Sequence, residues 1–290
     1  MILCEEQIKT YERDGALLLR NVFTKDQLNL IEKGINQNLD NPSKYANEND
    51  VPQGQGRFFD DYCNWATIEP FQKIIQKSSA PQIAAEVMRS SQSQFFHDHV
   101  LVKEPKTGKA SPWHQDMPYY FINGNQNVSM WIPIDPVEKE STLRLIAGSH
   151  HWKNMVRPVK WSDDADFYDS NEVGKDNYLP VPDPDSTSPD VESYDILEWS
   201  MNPGDILLFH FRTVHGARGN TSNIHRRRVL SLRWLGDDAR YIQRPGKTSP
   251  PYPGHGMKEG EKLRDDWFPI IYKDGEYHSE INIRNIRDST

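Results

Sequence analysis

Cysteine is scarce: two residues, Cys4 and Cys63, in a chain of 290. That excludes a disulfide framework and a zinc site built from thiolates, and it points to a reducing compartment. Long hydrophobic runs are missing as well. No apolar run exceeds four residues, as in Ala16–Leu19 and Ile206–Phe209, far below the roughly 18 that cross a bilayer. Basic charge is not in excess, since 34 Lys and Arg stand against 42 Asp and Glu for a net charge of -8. A surface that neutralises many phosphates needs the opposite balance, so nucleic acid is not an expected partner and neither is a membrane. The opening Met1-Ile-Leu-Cys4 runs directly into Glu5 and Glu6, without the basic start and apolar stretch of a secretion signal. The expected location is the cytoplasm. Aromatic residues are plentiful, with 11 Phe, 8 Trp and 12 Tyr, enough for a core and an aromatic-lined pocket.

The N-terminal part, residues 1–92, reads as helical support. Thr24-Lys-Asp-Gln27 has the pattern of a capping box, and Leu28, Ile31, Ile35 and Leu39 follow at helical spacing, which predicts an amphipathic helix over 24–39. A second helix is expected over Ile68–Ser78. From residue 93 the texture changes to short apolar or alternating runs between turn residues: 94–103, 128–134, 143–147, 195–200, 205–211 and 227–235. This is the pattern of a sheet-forming half over 93–235. Residues 162–195 carry eleven acidic side chains and one Lys, so they read as a surface insertion, either a lid or a solvated loop. Residues 236–290, rich in Pro, Gly and charge, are expected to wrap the outside of one domain.

Within the sheet-forming half, His114-Gln-Asp116 places two metal-ligating types two residues apart, on one face of an extended chain. His215 follows the strand-like run 205–211 and precedes Gly216. Two imidazoles and a carboxylate form a facial triad that leaves positions open on iron(II) for a bidentate co-substrate and dioxygen. Arg226, eleven residues beyond His215, offers a guanidinium for a distant carboxylate, as a 2-oxo dicarboxylic acid requires. The choice rests on spacing; strand alternation puts Arg226 and Arg228 on one face and Arg227 on the other, and a one-residue bulge reverses it.

These pieces resemble the phytanoyl-CoA dioxygenase family of iron(II)- and 2-oxoglutarate-dependent oxygenases. The resemblance is carried by His114-Gln-Asp116 with Pro118-Tyr119-Tyr120, by Val128-Ser-Met-Trp131-Ile-Pro-Ile-Asp135, by Leu145-Ile-Ala-Gly148-Ser149-His150, by His215-Gly-Ala-x-x-Asn220 with Arg226, and by Asp98-His99-Val-Leu-Val-Lys103. It implies a mainly β fold, a double-stranded β-helix or jelly-roll barrel braced by helices. It also implies His114, Asp116 and His215 as iron ligands, Arg226 on the distal carboxylate of 2-oxoglutarate, Trp131 and His99 beside the co-substrate, and Tyr119 and Tyr120 at the prime substrate. The chain departs from the family at Ala147, where Pro is usual, at Glu140-Ser-Thr142, and at Ala217, which lacks a hydroxyl some members use. The C-terminal Asp288-Ser-Thr290 is not a Ser-Lys-Leu peroxisomal address.

The implied reaction consumes dioxygen and 2-oxoglutarate, releases succinate and CO2, and hydroxylates an unactivated carbon of a small molecule, with ascorbate as a supporting reductant. Asp116 stands where halogenating relatives leave room for a halide. Acyl-CoA would need convergent basic residues at the mouth, whereas 162–195 is acidic, so the expected substrate is a small amphipathic or cationic metabolite among Tyr119, Tyr120, Phe121 and Phe211. Two alternatives stand beside this one. His97, His99 and Glu104 have the spacing of a cupin metal site, and a barrel that has lost activity binds a small molecule without turning it over. His210 is a further rival for the third ligand. Nothing in the sequence sets an oligomeric state.

Overall fold

The structure is a computed structural model and describes residues 1–49, 51, 53–161, 165–168, 178–186 and 193–278. Helix α1 (Glu5–Asp14) starts with Glu5 and Glu6 in its first turn and stops at Gly15, whose φ of 72° is left-handed, the conformation glycine adopts without strain. Strand β1 (Ala16–Leu19) follows. In α2 (Lys25–Asp40) the expected capping box forms: Gln27 donates its backbone N–H to Thr24 Oγ1 and accepts from the Thr24 N–H. Its buried face, Ile31, Gly34, Ile35 and Asn38, lies at helical spacing. After β2 (Asn47–Asn49) and β3 (Phe58–Tyr62), α3 (Glu69–Lys77) falls on the second expected helix, and α4 (Ala80–Val87) was not foreseen. Its residues are apolar nearly all round, so no polar face marks its period.

The strands that follow are β4 (Gln92–Lys103), β5 (Ser111–His114), the short β6 (Ile122–Asn123), β7 (Asn127–Pro133), β8 (Leu143–Ile146), the short β9 (Met155–Val156) and β10 (Tyr178–Leu179), then β11 (Ile196–Leu197), β12 (Ile206–Phe209), β13 (His215–Ala217) and β14 (Arg227–Leu235). Outside the two barrel sheets, β9 and β10 pair with each other and β6 pairs with a later strand. The larger sheet runs β1-β12-β7-β14-β4, with β3 and β2 beyond part of β4. The smaller one runs β11-β8-β13-β5. Both are antiparallel, and together they make a jelly roll. The segment after 235 does more than wrap the outside. After the short β15 (Arg240–Tyr241), strand β16 (Ile270–Lys273) pairs with the start of β4, and Tyr252 and Phe268 stack around Phe96 in the core.

The larger sheet is buried on both faces. Val100, Val102, Leu230 and Leu232 pack with Ile35, Phe71 and Ile75 of the helices, while Trp131, Leu207, Phe209 and Val229 join Leu143, Leu145 and Ala217 from the smaller sheet. Register aligns the inward side chains in rows. Ser129, Arg233 and His97 form one row; Trp131, Ser231, His99 and Tyr62 the next; Val229, Leu101 and Asp60 a third; Arg227, Lys103 and Phe58 a fourth.

Gly15 ties this barrel to the site. Its carbonyl accepts from His210 N at 2.9 Å and from Thr213 Oγ1 at 2.7 Å, bracing the loop that carries His215. A Cβ there would meet Thr213 Oγ1 at 2.4 Å and the His150 ring at 2.3 Å. Gly15→Ala is therefore expected to lower unfolding stability by about 2–4 kcal/mol, from left-handed strain plus overpacking, which a thermal melt reads directly.

Candidate active site

His114 and His215 face each other because β5 and β13 pair in antiparallel register with these two residues opposite. Their rings are 4.2 Å apart between centroids. His114 Nδ1 lies 2.8 Å from the Pro112 carbonyl and His215 Nδ1 2.9 Å from the Thr213 carbonyl. A carbonyl only accepts, so each Nδ1 carries the proton and each Nε2 offers a lone pair. Both Nε2 atoms approach Asp116 Oδ1, at 3.8 and 3.9 Å. The other carboxylate oxygen is engaged: Ser129 Oγ donates to Oδ2 at 2.7 Å, and Arg233 Nη2 lies 3.5 Å from it. Ser129 and Arg233 are themselves a cross-strand pair. Oδ1 is thereby turned toward the imidazoles, and Arg233 is steadied by donating to the Tyr120 hydroxyl at 3.2 Å.

Electrostatics prepares the three groups to bind a cation. Burial, reinforced by His215, pushes His114 down to about 3, and burial lowers His215 too, so both rings are neutral. Burial opposes the charge on Asp116, but the Arg233 guanidinium and the Ser129 hydroxyl overcome it and hold the carboxyl below its usual range. Among the described residues, His114, Asp116 and His215 are the one group of three or more potential ligands whose donor atoms converge, all within 4.8 Å. This donor set, two imidazole nitrogens and a carboxylate oxygen, fits iron(II) with positions left open.

The triad opens into a cavity of about 380 Å³, within the usual size of a small-molecule site. Trp131, His99, Tyr119 and Tyr120 all line it. Three expectations are corrected. Arg226 does not reach the cavity: it lies in the loop before β14, half exposed, in an ion pair with Glu104. Arg227, the first residue of β14, is buried, lines the cavity and lies over Trp131 with its guanidinium 5.9 Å from the ring centroid. One nitrogen donates to the Ser141 carbonyl, while Nε is buried with no partner among the described residues. Burial pushes it down to about 10, so it stays charged at neutral pH. Phe121 and Phe211 are core residues outside the cavity lining: Phe121 packs on Phe96, Tyr252 and Phe268, and Phe211 on Tyr120. A short 3-10 turn at Met117–Tyr119 breaks the alternation that would have kept Phe121 beside Tyr119.

The cupin constellation does not assemble. His97 and His99 point inward, but His99 Nε2 is bound to Asp60 at 3.1 Å, His97 Nδ1 contacts the Asp98 carbonyl, and Glu104 is paired with Arg226. Glu104→Ala is expected to leave iron affinity unchanged and to cost at most about 1 kcal/mol of stability, as for a partly exposed ion pair. An iron titration and a melt of that variant check both. His210 is engaged by Asn125, Asn127 and Arg212, away from the triad. Arg233, Ser129, Asp60, Tyr62 and Trp161 belong to the site and were missed; Ser129 shares the inward parity of β7 with the expected Trp131. Most of 162–195 lies outside the described residues, but Phe167 lines the cavity, and Tyr168 donates its hydroxyl to the Pro118 carbonyl.

A sequence model described as phytanoyl-CoA dioxygenase (PhyH) matches residues 11–229. The chain belongs to this family. It is 24% identical over 267 residues to a probable phytanoyl-CoA dioxygenase of Caenorhabditis elegans, covering 85% of this chain and 80% of that one. It is 21% identical over 275 residues to an ectoine dioxygenase of Sphingopyxis alaskensis, covering 91% and 87%. Among solved structures, the epimerase SnoN in complex with Fe3+, alpha ketoglutarate and nogalamycin RO superposes with a TM-score of 0.69 at 19% identity, covering 92% of this chain and 97% of that one. The fold is thus shared with 2-oxoglutarate-dependent oxygenases. As a member of the phytanoyl-CoA dioxygenase family the protein is an iron- and 2-oxoglutarate-dependent dioxygenase, and a His-Asp-His group able to hold a metal ion, His114, Asp116 and His215, is present in it. No helix among the described residues is long and apolar enough to cross a membrane.

Proposed function

We propose that this dioxygenase hydroxylates a small amphipathic molecule at an unactivated carbon, releasing succinate and CO2. The observation that carries this reading is the sharing of one cavity by the triad and by the buried Arg227. Iron held by His114, Asp116 and His215, with 2-oxoglutarate and dioxygen, supplies the oxidising equivalents that replace C–H by C–OH. Arg227 is the residue that grips the distal carboxylate of 2-oxoglutarate: its planar, permanently charged fork is buried and incompletely paired, which favours an ionic partner. Trp131 forms the wall beside that guanidinium. Ser129 and Arg233 engage Oδ2 and keep the Asp116 carboxylate in one orientation, so Oδ1 is the oxygen that would be offered to the metal.

On the side of the prime substrate, Tyr119 is fixed by two hydrogen bonds, donating to the Val159 carbonyl at 2.7 Å and accepting from the Val159 N–H at 2.8 Å. Trp161 stacks edge-on to His114 at 5.1 Å between ring centroids. These rings leave an apolar approach to the metal that limits water at the reacting carbon. Asp116 occupies the ligand position that a halide would need, which favours hydroxylation over halogenation. The test is a metabolite screen read by succinate release, followed by mass spectrometry of any product under 18O2. One labelled oxygen in the product supports hydroxylation. A product that has lost two hydrogens, or succinate with no altered co-product from any compound, overturns it.

A further inference from the structure

Asp60 lines the cavity and is almost fully buried, at 6% exposure. Its carboxylate is held by side-chain nitrogens: Asn49 Nδ2 at 2.6 Å and Asn47 Nδ2 at 3.4 Å reach Oδ2, and His99 Nε2 lies 3.1 Å from Oδ1. Among the described residues no Lys or Arg forms an ion pair with it. The nearby buried Lys103 makes its hydrogen bonds elsewhere, its ammonium on the Lys109 and Arg218 carbonyls and the Ser111 hydroxyl. Lys160, also at the cavity, is exposed, so its charge is solvated. Arg233 is matched by Asp116. A buried carboxylate with no Lys or Arg paired to it is costly, and the cost falls where a ligand brings a positive charge to it.

The neighbours of Asp60 fit a cationic ligand. Tyr62 and Trp161 line the same cavity, Tyr62 is stacked on Tyr45 with centroids 5.0 Å apart, and Trp161 lies between the His99 ring at 6.3 Å and the iron ligand His114 at 5.1 Å. Electron-rich ring faces beside a carboxylate are the usual surroundings of a bound ammonium group. Strand order separates this region from the co-substrate, because β14, which carries Arg227, and β3, which carries Asp60, lie on opposite sides of β4.

We infer that the prime substrate carries a positively charged amine, bound against Asp60 with Tyr62 and Trp161 as aromatic walls, across β4 from Arg227. This rests on the oxygenase reading of the same cavity and narrows its substrate to cationic amines. A molecule spanning from Asp60 past Trp161 presents its nearer carbons to the metal, so the oxidised carbon lies on the portion away from the amine.

The test uses the full chain loaded anaerobically with iron(II) and 2-oxoglutarate and a panel of trios, each an amine, an alcohol and a carboxylate on one framework, such as 2-phenylethylamine, 2-phenylethanol and phenylacetate, extended to alicyclic and aliphatic frameworks. Binding is read as a perturbation of the visible charge-transfer band of the iron chelate. The expected result is that amines bind about 100-fold more tightly than their partners, and that Asp60→Asn removes the preference while the chelate band persists. Without any ligand, Asp60→Asn is expected to melt at an unchanged or higher temperature, because a buried charge with no Lys or Arg ion pair has been neutralised. An alcohol or carboxylate binding as well as its amine, no amine perturbing the band at millimolar concentration, or a fall of about 10 °C in the melt of Asp60→Asn, the mark of a structural ion pair with a protonated His99, overturns the inference. Absence of the chelate band itself, before any panel compound is added, instead refutes the oxygenase reading.

Discussion

Asp116→Ala is expected to reduce iron-dependent decarboxylation of 2-oxoglutarate to background. Asp116 is the only carboxylate of the triad, and its Oδ1 is the oxygen that both imidazole Nε2 atoms approach. The same substitution strands Arg233, 4% exposed, without its counter-charge, and breaking one side of a buried pair costs about 3–5 kcal/mol. Two effects are thus superimposed. Asp116→Asn separates them, since the amide oxygen still accepts from Ser129 and fills the same space, while the negative charge that iron needs is lost. Both variants should release no succinate, with Asp116→Asn melting closer to the unaltered protein. Near-normal succinate release from either variant would show that the metal lies elsewhere.

Arg227→Ala is expected to weaken 2-oxoglutarate binding by about 100-fold, with iron still bound, whereas Arg226→Ala should leave co-substrate affinity essentially unchanged. Charge-assisted hydrogen bonds contribute about 1.5–3 kcal/mol each, and about 1.4 kcal/mol is tenfold in affinity. Arg227→Lys should fall between, because a point charge replaces a two-pronged grip. Co-substrate titrations at saturating iron measure all three. A large loss in Arg226→Ala with little in Arg227→Ala would return the co-substrate to the residue that spacing alone had favoured.

The Arg226 and Arg227 outcome shows where sequence reasoning reaches its limit. The converging His-Asp-His group was legible because His114-x-Asp116 and His215-Gly are compact signatures set by local geometry. The alternation of the returning strand was legible too, and it correctly separated Arg227 from its neighbours. What alternation could not supply was its phase. Both faces of β14 are buried, so hydrophobicity does not say which parity faces the cavity, and the loop of residues 218–226 has no period to carry the count forward from His215. Ser231 and Arg233, polar residues on the parity of Arg227 within an otherwise apolar strand, were the available signal.

Elsewhere the same logic holds. The helix from Lys25 to Asp40 and the strands at Gln92–Lys103, Asn127–Pro133 and Arg227–Leu235 were readable from capping and periodicity. The strand Phe58–Tyr62 was not, because Asp60 and Asp61 sit side by side in it. Asp61 faces outward to Asn38 and Ser43, and Asp60 faces into the cavity, so two buried acids hide the alternation a strand would show. A residue of the site was concealed by the very property that equips it to meet a cation.

The most direct test of the central claim is anaerobic titration of the metal-free protein with iron(II) and then 2-oxoglutarate, followed by visible absorption. The account predicts a metal-to-ligand charge-transfer band that requires both additions, is absent in Asp116→Ala, and needs much higher 2-oxoglutarate in Arg227→Ala. Iron binding without a band would contradict the placement of the co-substrate in this cavity. A protein that binds no iron would contradict the oxygenase assignment of the site altogether.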